Sequence, residues 1–151
     1  RGLGDVYKRQ TLDGANIEIA EAVGEDDIFI FGMTAEEVAA AREAGYDPAA
    51  HIEAEPRLAE VLEQIAAGVF SPDDPQRYTG MVDNLRQNDW FMVAADFTAY
   101  CEAQRRVDAA WQDRDAWNRS AVLNTAHMGW FSSDRTIRGY ARDIWQAEPT
   151  F

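Results

Sequence analysis

The tightest constraint on this chain is four residues long. Ile28-Phe29-Ile30-Phe31 is a continuous apolar run, closed by Asp27 on one side and Gly32 on the other. A run with no polar alternation reads as a strand buried on both faces, as in a parallel sheet. Almost everything around it has the period of a helix. A parallel strand cannot stand by itself, because its neighbours arrive by crossover connections and both of its faces must be covered. The fold class is therefore α/β, mostly helical, with an incomplete sheet of one or two buried strands. Two other stretches read as extended: the end of a strand entering Thr11-Leu12-Asp13-Gly14, and the short apolar segment from Trp90 to Ala95.

The helices announce their own ends. Asp13-Gly14 punctuates the chain before a helix from about Ala15 to Val23, which Gly24 closes. Thr34 with Glu37 three residues on makes a capping box, for a helix running to Ala44 and ended by Gly45. Asp47-Pro48 has the cap-then-proline pattern, and Pro56 opens a further helix with Leu58, Val61, Leu62 and Ile65 on its inner face and Gly68 at its end. Ser71 to Pro75 is a loop, and a helix follows from about Gln76 to Leu85. Asp96 is read as the cap of a long helix carrying Tyr100, Cys101, Gln104, Val107 and Trp111 on one side. Asp113 or Asp115 starts another, through Trp117, Val122 and Ala126 to His127, and Gly129 breaks it. In the last helix Ile137, Tyr140, Ala141, Ile144 and Trp145 form one apolar stripe. Ser132, Ser133 and Asp134 can accept hydrogen bonds from its first turn. Arg135 sits where the helix dipole disfavours a cation and asks for a compensating contact.

Charge and composition exclude several classes of function. The net charge of −13 repels nucleic acid and anionic membranes. No apolar run approaches a membrane span. The opening residues lack the apolar stretch of a signal peptide, and the single cysteine, Cys101, permits no internal disulfide, so a cytoplasmic protein is expected. Cys101 reads as a buried structural thiol. His51 and His127 fall in separate helices without metal-ligand spacing, so no metal site is expected. Glu25-Asp26-Asp27 and Asp73-Asp74 read as solvated or capping acids. Arg105, Arg106, Arg135, Arg138 and Arg142 could line a basic edge, against the simpler expectation that they pair with the surplus acids.

The first ten residues, Arg1 to Gln10, stand apart. They hold Lys8, the only lysine. From Thr11 onward 11 cations, all arginine, face 26 acids, once Arg1, Lys8, Arg9 and Asp5 are set aside from the 14 and 27 of the whole chain. The decamer resembles the in-frame translation of a sequencing adapter, with a native arm as the alternative. On the adapter reading it is a non-native segment, residues 11–151 are the domain proper, and the natural protein continues upstream of Thr11.

Three segments in order resemble one family. Phe131-Ser132-Ser133-Asp134-Arg135-Thr136-Ile137, followed by Tyr140-Ala141 and Ile144-Trp145, is similar to the C-terminal signature of the glycogen, starch and maltodextrin phosphorylases. Thr11-Leu12-Asp13-Gly14-Ala15-Asn16-Ile17-Glu18-Ile19 and Ile28-Phe29-Ile30-Phe31-Gly32 are similar to two further segments, and the order fits from Thr11 to about Pro149. The resemblance implies the C-terminal part of a Rossmann-like lobe, in a two-lobed glycosyltransferase of GT-B type. It implies a parent enzyme that phosphorolyses terminal α-1,4-linked glucose to α-glucose 1-phosphate, with pyridoxal 5′-phosphate on a lysine. Its substrates would be an α-1,4-glucan and inorganic phosphate, its usual state a homodimer, and its place glycogen catabolism.

The family's lysine and its phosphate-contacting Gly-Thr segment would lie upstream of Thr11, so no catalytic residue of the family falls on a position here. The fragment alone should bind neither cofactor nor glucan and should turn over nothing, lacking its N-terminal lobe. Thr11, Asp13, Gly14 and Asn16, at a strand-to-helix junction, are either a structural turn or residues standing behind a ligand crevice. The alternative reading of the whole is a stand-alone acidic helical module that binds a protein. A nucleotide-sugar glycosyltransferase of similar fold is a third.

Overall fold

The structure, a computed structural model, describes residues 7–9 and 14–147. Strand β1 (Tyr7–Arg9) is followed by α1 (Gly14–Val23), β2 (Ile28–Ile30), α2 (Ala35–Glu43), α3 (Pro48–Ala54), α4 (Pro56–Ala66) and α5 (Thr79–Gln87). Then come α6 (Val93–Gln112), α7 (Arg114–His127) and α8 (Ser133–Gly139). Short 3-10 turns lie at Glu25–Asp27 and Met128–Phe131, and a π-helical turn covers Tyr140–Trp145. The chain is mostly helical, as its periodicity requires. The sheet has two parallel strands, with Tyr7 opposite Ile28 and Arg9 opposite Ile30. β1 belongs to the decamer that the sequence sets apart. The strand end expected at Thr11 to Asp13 lies outside the described residues.

Two apolar clusters carry the packing. Ile52, Leu58, Leu62, Val82 and Ala94 form one, with Ile65, Leu85 and Phe97 against it. Ile19, Val23 and Ile28 form the other, with Ile30, Met128 and Phe131 against it. Helix α6 joins them: its N-terminal Ala94 and Phe97 enter the first cluster, while its other side chains reach β2. Tyr100 meets Phe31 edge-on at 5.5 Å, and Arg106 donates to the Ile30 carbonyl at 3.0 Å.

Most caps form where expected. Thr34 and Glu37 close a reciprocal capping box, Asp47 accepts from the Ala49 N–H, and Asp113 accepts from the Ala116 N–H. Gly24, Gly45 and Gly68 all take positive φ after the helices they end.

The start of α6 differs. Trp90 to Ala95 is not extended; the helix already begins at Val93. Met92, not Asp96, holds the N-cap position, and the first amides are bonded by Asp89 from three residues before it: its carboxylate accepts from the Val93 and Ala94 N–H groups at 2.9 and 2.8 Å and from the Tyr46 hydroxyl at 2.7 Å. The intervening turn bends sharply, with φ of 34° at Asp89 and 54° at Met92. Left-handed non-glycine residues cost about 1–3 kcal/mol each. The full burial of Met92 and the three bonds on Asp89 offset that cost. Asp96 instead sits buried inside the first turn and accepts the Met33 N–H at 2.9 Å, tying the exit of β2 to α6.

The last helix is not uniform. Ser132 occupies its N-cap without a side-chain cap bond; its carbonyl accepts from Thr136 N and Oγ1 at 3.1 and 3.2 Å. After Gly139 the backbone widens into the π turn, which brings Tyr140 and Trp145, five residues apart, into an edge contact at 5.9 Å. Cys101, expected to be buried, is half-buried.

Gly32 and Gly45 share a φ of 85°, but a Cβ on Gly32 would lie 2.7 Å from Asp96 Cγ, whereas Gly45 faces open space. Gly45→Ala should therefore cost about 1–2 kcal/mol, from its backbone conformation alone. Gly32→Ala should cost a further ~1–3 kcal/mol, because Asp96 is pushed off the Met33 N–H. Urea denaturation of the two variants checks this; equal losses would contradict the Asp96 contact.

Candidate functional site

In a parallel sheet the useful end is the carboxyl end of the strands, where connections into helices leave a crevice. Here that end is the segment from Ile30 to Met33. Three groups of α6 hold it: Asp96 on the Met33 amide, Tyr100 on the Phe31 ring, and Arg106 on the Ile30 carbonyl with its guanidinium carbon 5.9 Å from the Phe29 ring centroid. On the far side of β2, the 3-10 turn Glu25–Asp27 is fastened to α7. Ser120 donates to the Asp27 carboxylate, and Asn124 donates to the Asp27 carbonyl at 3.1 Å. Asp27 is thus a fastening while Glu25 and Asp26 are exposed, and Asp73 and Asp74 are ion-paired with Arg77.

The junction residues stand as follows. Thr11 and Asp13 lie outside the described residues, Gly14 is the first residue of α1, and Asn16 is half-buried on the same helix. The C-terminal signature comes back to this neighbourhood. Phe131 packs on the cluster of Ile19, Val23 and Ile28. Arg135, expected to need compensation, has it: its guanidinium lies 3.9 Å from the Trp130 ring centroid, and its Nε donates to the Trp130 carbonyl. Trp130 also lines a shallow groove of about 300 Å³ with Glu18, Glu21 and Ala22 of α1. Ser133, Asp134 and Ile137 are exposed, and Ser132 and Thr136 are half-buried.

Three of the five arginines that could line a basic edge are engaged separately. Arg106 and Arg135 each serve a carbonyl and an aromatic ring, and Arg142 pairs with Asp143 at 2.6 Å. His51 packs on Tyr46 with ring centroids 5.1 Å apart. Among the described residues no group of three or more His, Cys, Asp or Glu could hold a metal, and no helix is long and apolar enough to cross a membrane.

The apolar stripe of the last helix finds no cover within the described residues. Ile137, Tyr140, Ile144 and Trp145 are 54%, 45%, 65% and 59% exposed. Covering an isoleucine of this kind contributes about 1.5–3 kcal/mol, so the stripe is an unmet demand for a neighbour.

The described residues form a mostly helical unit against a sheet of two short parallel strands. Comparison with known proteins gives its family. A profile of the carbohydrate phosphorylases matches residues 8–147. The chain is 48% identical over 139 residues to a glycogen phosphorylase of Haemophilus influenzae, and 45% identical over 139 residues to one of Pasteurella multocida. It is 46% identical over 140 residues to the liver-form glycogen phosphorylase of Ovis aries. These alignments cover 92–93% of this chain but only 16–17% of each relative. The chain belongs to the carbohydrate phosphorylase family and spans about one sixth of the length of the curated relatives it matches.

Two groups displaced from their ordinary ionisation brace the scaffold. A hydrogen bond from the Arg57 side chain, then one from the Thr98 hydroxyl, holds Glu55 down to about 2. Burial, then the bond to Asp89, raises the Tyr46 phenol. Because Glu55 is lowered from 4.5, its contacts between α4 and α6 contribute stability that is complete above pH 4.5 and is lost as pH falls toward 2. Acid titration of unfolding should show a steeper fall across that window for the native chain than for Glu55→Gln. Matching curves would remove Glu55 from the account.

Proposed function

We propose that this chain is the C-terminal part of the C-terminal, Rossmann-like lobe of a GT-B-type α-glucan phosphorylase. The parent enzyme would release terminal α-1,4-linked glucose as α-glucose 1-phosphate, using inorganic phosphate and pyridoxal 5′-phosphate. Family membership at 48% identity is the observation that carries this reading.

The residues present do not fit the cofactor. A Schiff base needs a lysine, and the chain has none from Thr11 onward. Lys8 stands in β1 with its backbone opposite Phe29. No reaction step is therefore assigned to a residue of this chain. The cofactor lysine and catalytic groups are placed upstream of Thr11, and Arg1 to Gln10 is read as adapter-derived sequence standing in their place. Thr11, Asp13, Gly14 and Asn16 would support the crevice from behind. Phe131 to Ile137 would orient the last helix, whose exposed stripe would pack on the missing lobe. The complete enzyme would be a cytoplasmic homodimer.

The stand-alone module is less well supported. Among the described residues β2 is paired along one edge only, and four large side chains of the last helix lie open.

The test is a pair of assays with glycogen and phosphate. The purified 151-residue chain should release no glucose 1-phosphate. The gene with its upstream sequence restored, and with it a lysine-bearing segment, should release it in a pyridoxal phosphate-dependent way. Release by the short chain, or none by the restored enzyme, would overturn the proposal.

A further inference from the structure

Two open surfaces of this chain match each other. The first is the stripe of the last helix, where Ile137, Tyr140, Ile144 and Trp145 all lie exposed. The other exposed tryptophans are faced by an arginine. The Arg42 guanidinium lies 4.5 Å from the Trp90 ring centroid, with Nη2 donating to the Trp90 carbonyl at 2.7 Å, and Arg135 lies over Trp130. Trp145 meets only the Tyr140 ring among the described residues. The helix that carries the stripe is also locally basic, in a chain of net charge −13. Arg135, Arg138 and Arg142 outnumber Asp134 and Asp143, and Arg138 is exposed with no ion pair among the described residues.

The second surface is the groove of about 300 Å³ between α1 and Trp130, lined by Glu18, Glu21, Ala22 and the indole. Trp130 is 60% exposed, and Ile17 beside the groove is exposed as well. Helix α1 has no basic residue, and Glu25 and Asp26 extend its acidic side past Gly24. Arg135 on the Trp130 ring sets one guanidinium against the two carboxylates of the groove, which leaves it acidic. An apolar floor with an acidic rim is a seat for an apolar helix with a basic flank. Stripe and groove belong to one chain and leave each other open within it, so another molecule must cover them. A second copy presents both at once, and a two-fold arrangement satisfies the two contacts together.

We infer that the chain pairs with a second copy by exchanging last helices: the stripe of each copy lies in the α1–Trp130 groove of the other, with Arg138 set against Glu18 and Glu21. Repulsion between two acidic chains is screened beyond about 8 Å at physiological salt, so the charges in contact decide the fit. The exposed side chains of stripe and groove cover less than the ~800 Å² per partner of a standard interface, so the pairing is weak, with a dissociation constant on the order of 100 µM. At about a hundredth of that concentration the chain is a monomer with its stripe open. In the parent enzyme the missing lobe would take the stripe, so this pairing belongs to the chain as it stands and is independent of any dimer of the complete enzyme.

The test is sedimentation equilibrium of the purified 151-residue chain, over concentrations from roughly a tenth to ten times that dissociation constant. The mean mass should rise from 17.0 kDa toward twice that value. Ile144→Glu should weaken association at least tenfold, and Arg138→Glu or Glu18→Arg alone at least threefold. Combining Arg138→Glu with Glu18→Arg should restore most of what either loses. All three side chains are exposed, so the melting temperature of the dilute variants should stay that of the native chain. A mass fixed at 17.0 kDa throughout would overturn the pairing. Association that Ile144→Glu abolishes while the charge variants leave it untouched would mean that stripe meets stripe, and would overturn the groove. Neither result touches the phosphorylase reading, which rests on the glycogen assays.

Discussion

The first turn of α6 is the joint on which the structure depends. Two carboxylates seven residues apart serve different masters there. Asp89 takes the free N–H groups of Val93 and Ala94 and holds the helix start; Asp96 takes the amide of Met33 and holds the strand exit. Both are buried, and a buried carboxylate is tolerable only when its oxygens are bonded. Gly32 leaves room for one of them by having no Cβ, and Tyr46 completes the other. This joint, with Tyr100 on the Phe31 ring and Arg106 on the Ile30 carbonyl further along α6, ties the helical cluster of α3 to α6 to the strand-bearing cluster of α1, β2 and Phe131.

The two clusters are unequal. The one around Leu62 and Val82 is enclosed by four helices. The one around Ile19, Val23 and Ile28 lies under a sheet of two short strands, beside a C-terminal helix whose Ile137, Ile144 and Trp145 face outward. That asymmetry is what a piece of a larger protein should show: one cluster is enclosed by helices of this chain, while the sheet has a free edge among the described residues and the last helix keeps an open apolar stripe. It also agrees with a chain that spans about one sixth of each relative.

The sequence was legible wherever structure is decided locally. Thr34 with Glu37, Asp47 with Pro48, and Asp113 each cap the helix that follows, because a cap needs only a side chain and the next few amides. It misled where distant contacts decide. Trp90 to Ala95 has the composition of a strand, and nothing local reveals that Met92 turns left-handed to plug the core. Asp96 looked like a cap because it precedes a helical pattern; its true partner, Met33, lies 63 residues away. The stripe from Ile137 to Trp145 was read correctly as apolar, but a period of 3.6 could not foresee the π turn at Tyr140. Of the candidate site, the signature motifs led to the family. The contacts of Arg106, Arg135 and Arg42 with rings and carbonyls carry no sequence pattern.

The most direct measurement of this account is amide hydrogen exchange along the purified chain. A satisfied helical unit joined to an unsatisfied sheet end predicts two levels of protection. The amides of α4, α5 and the first half of α6 should exchange together and slowest, while those of β2 and of Ile137 to Trp145 should exchange at least tenfold faster. Uniform protection from β2 through Trp145 would contradict it, and would mean that these residues are a complete domain whose exposed stripe asks for nothing further.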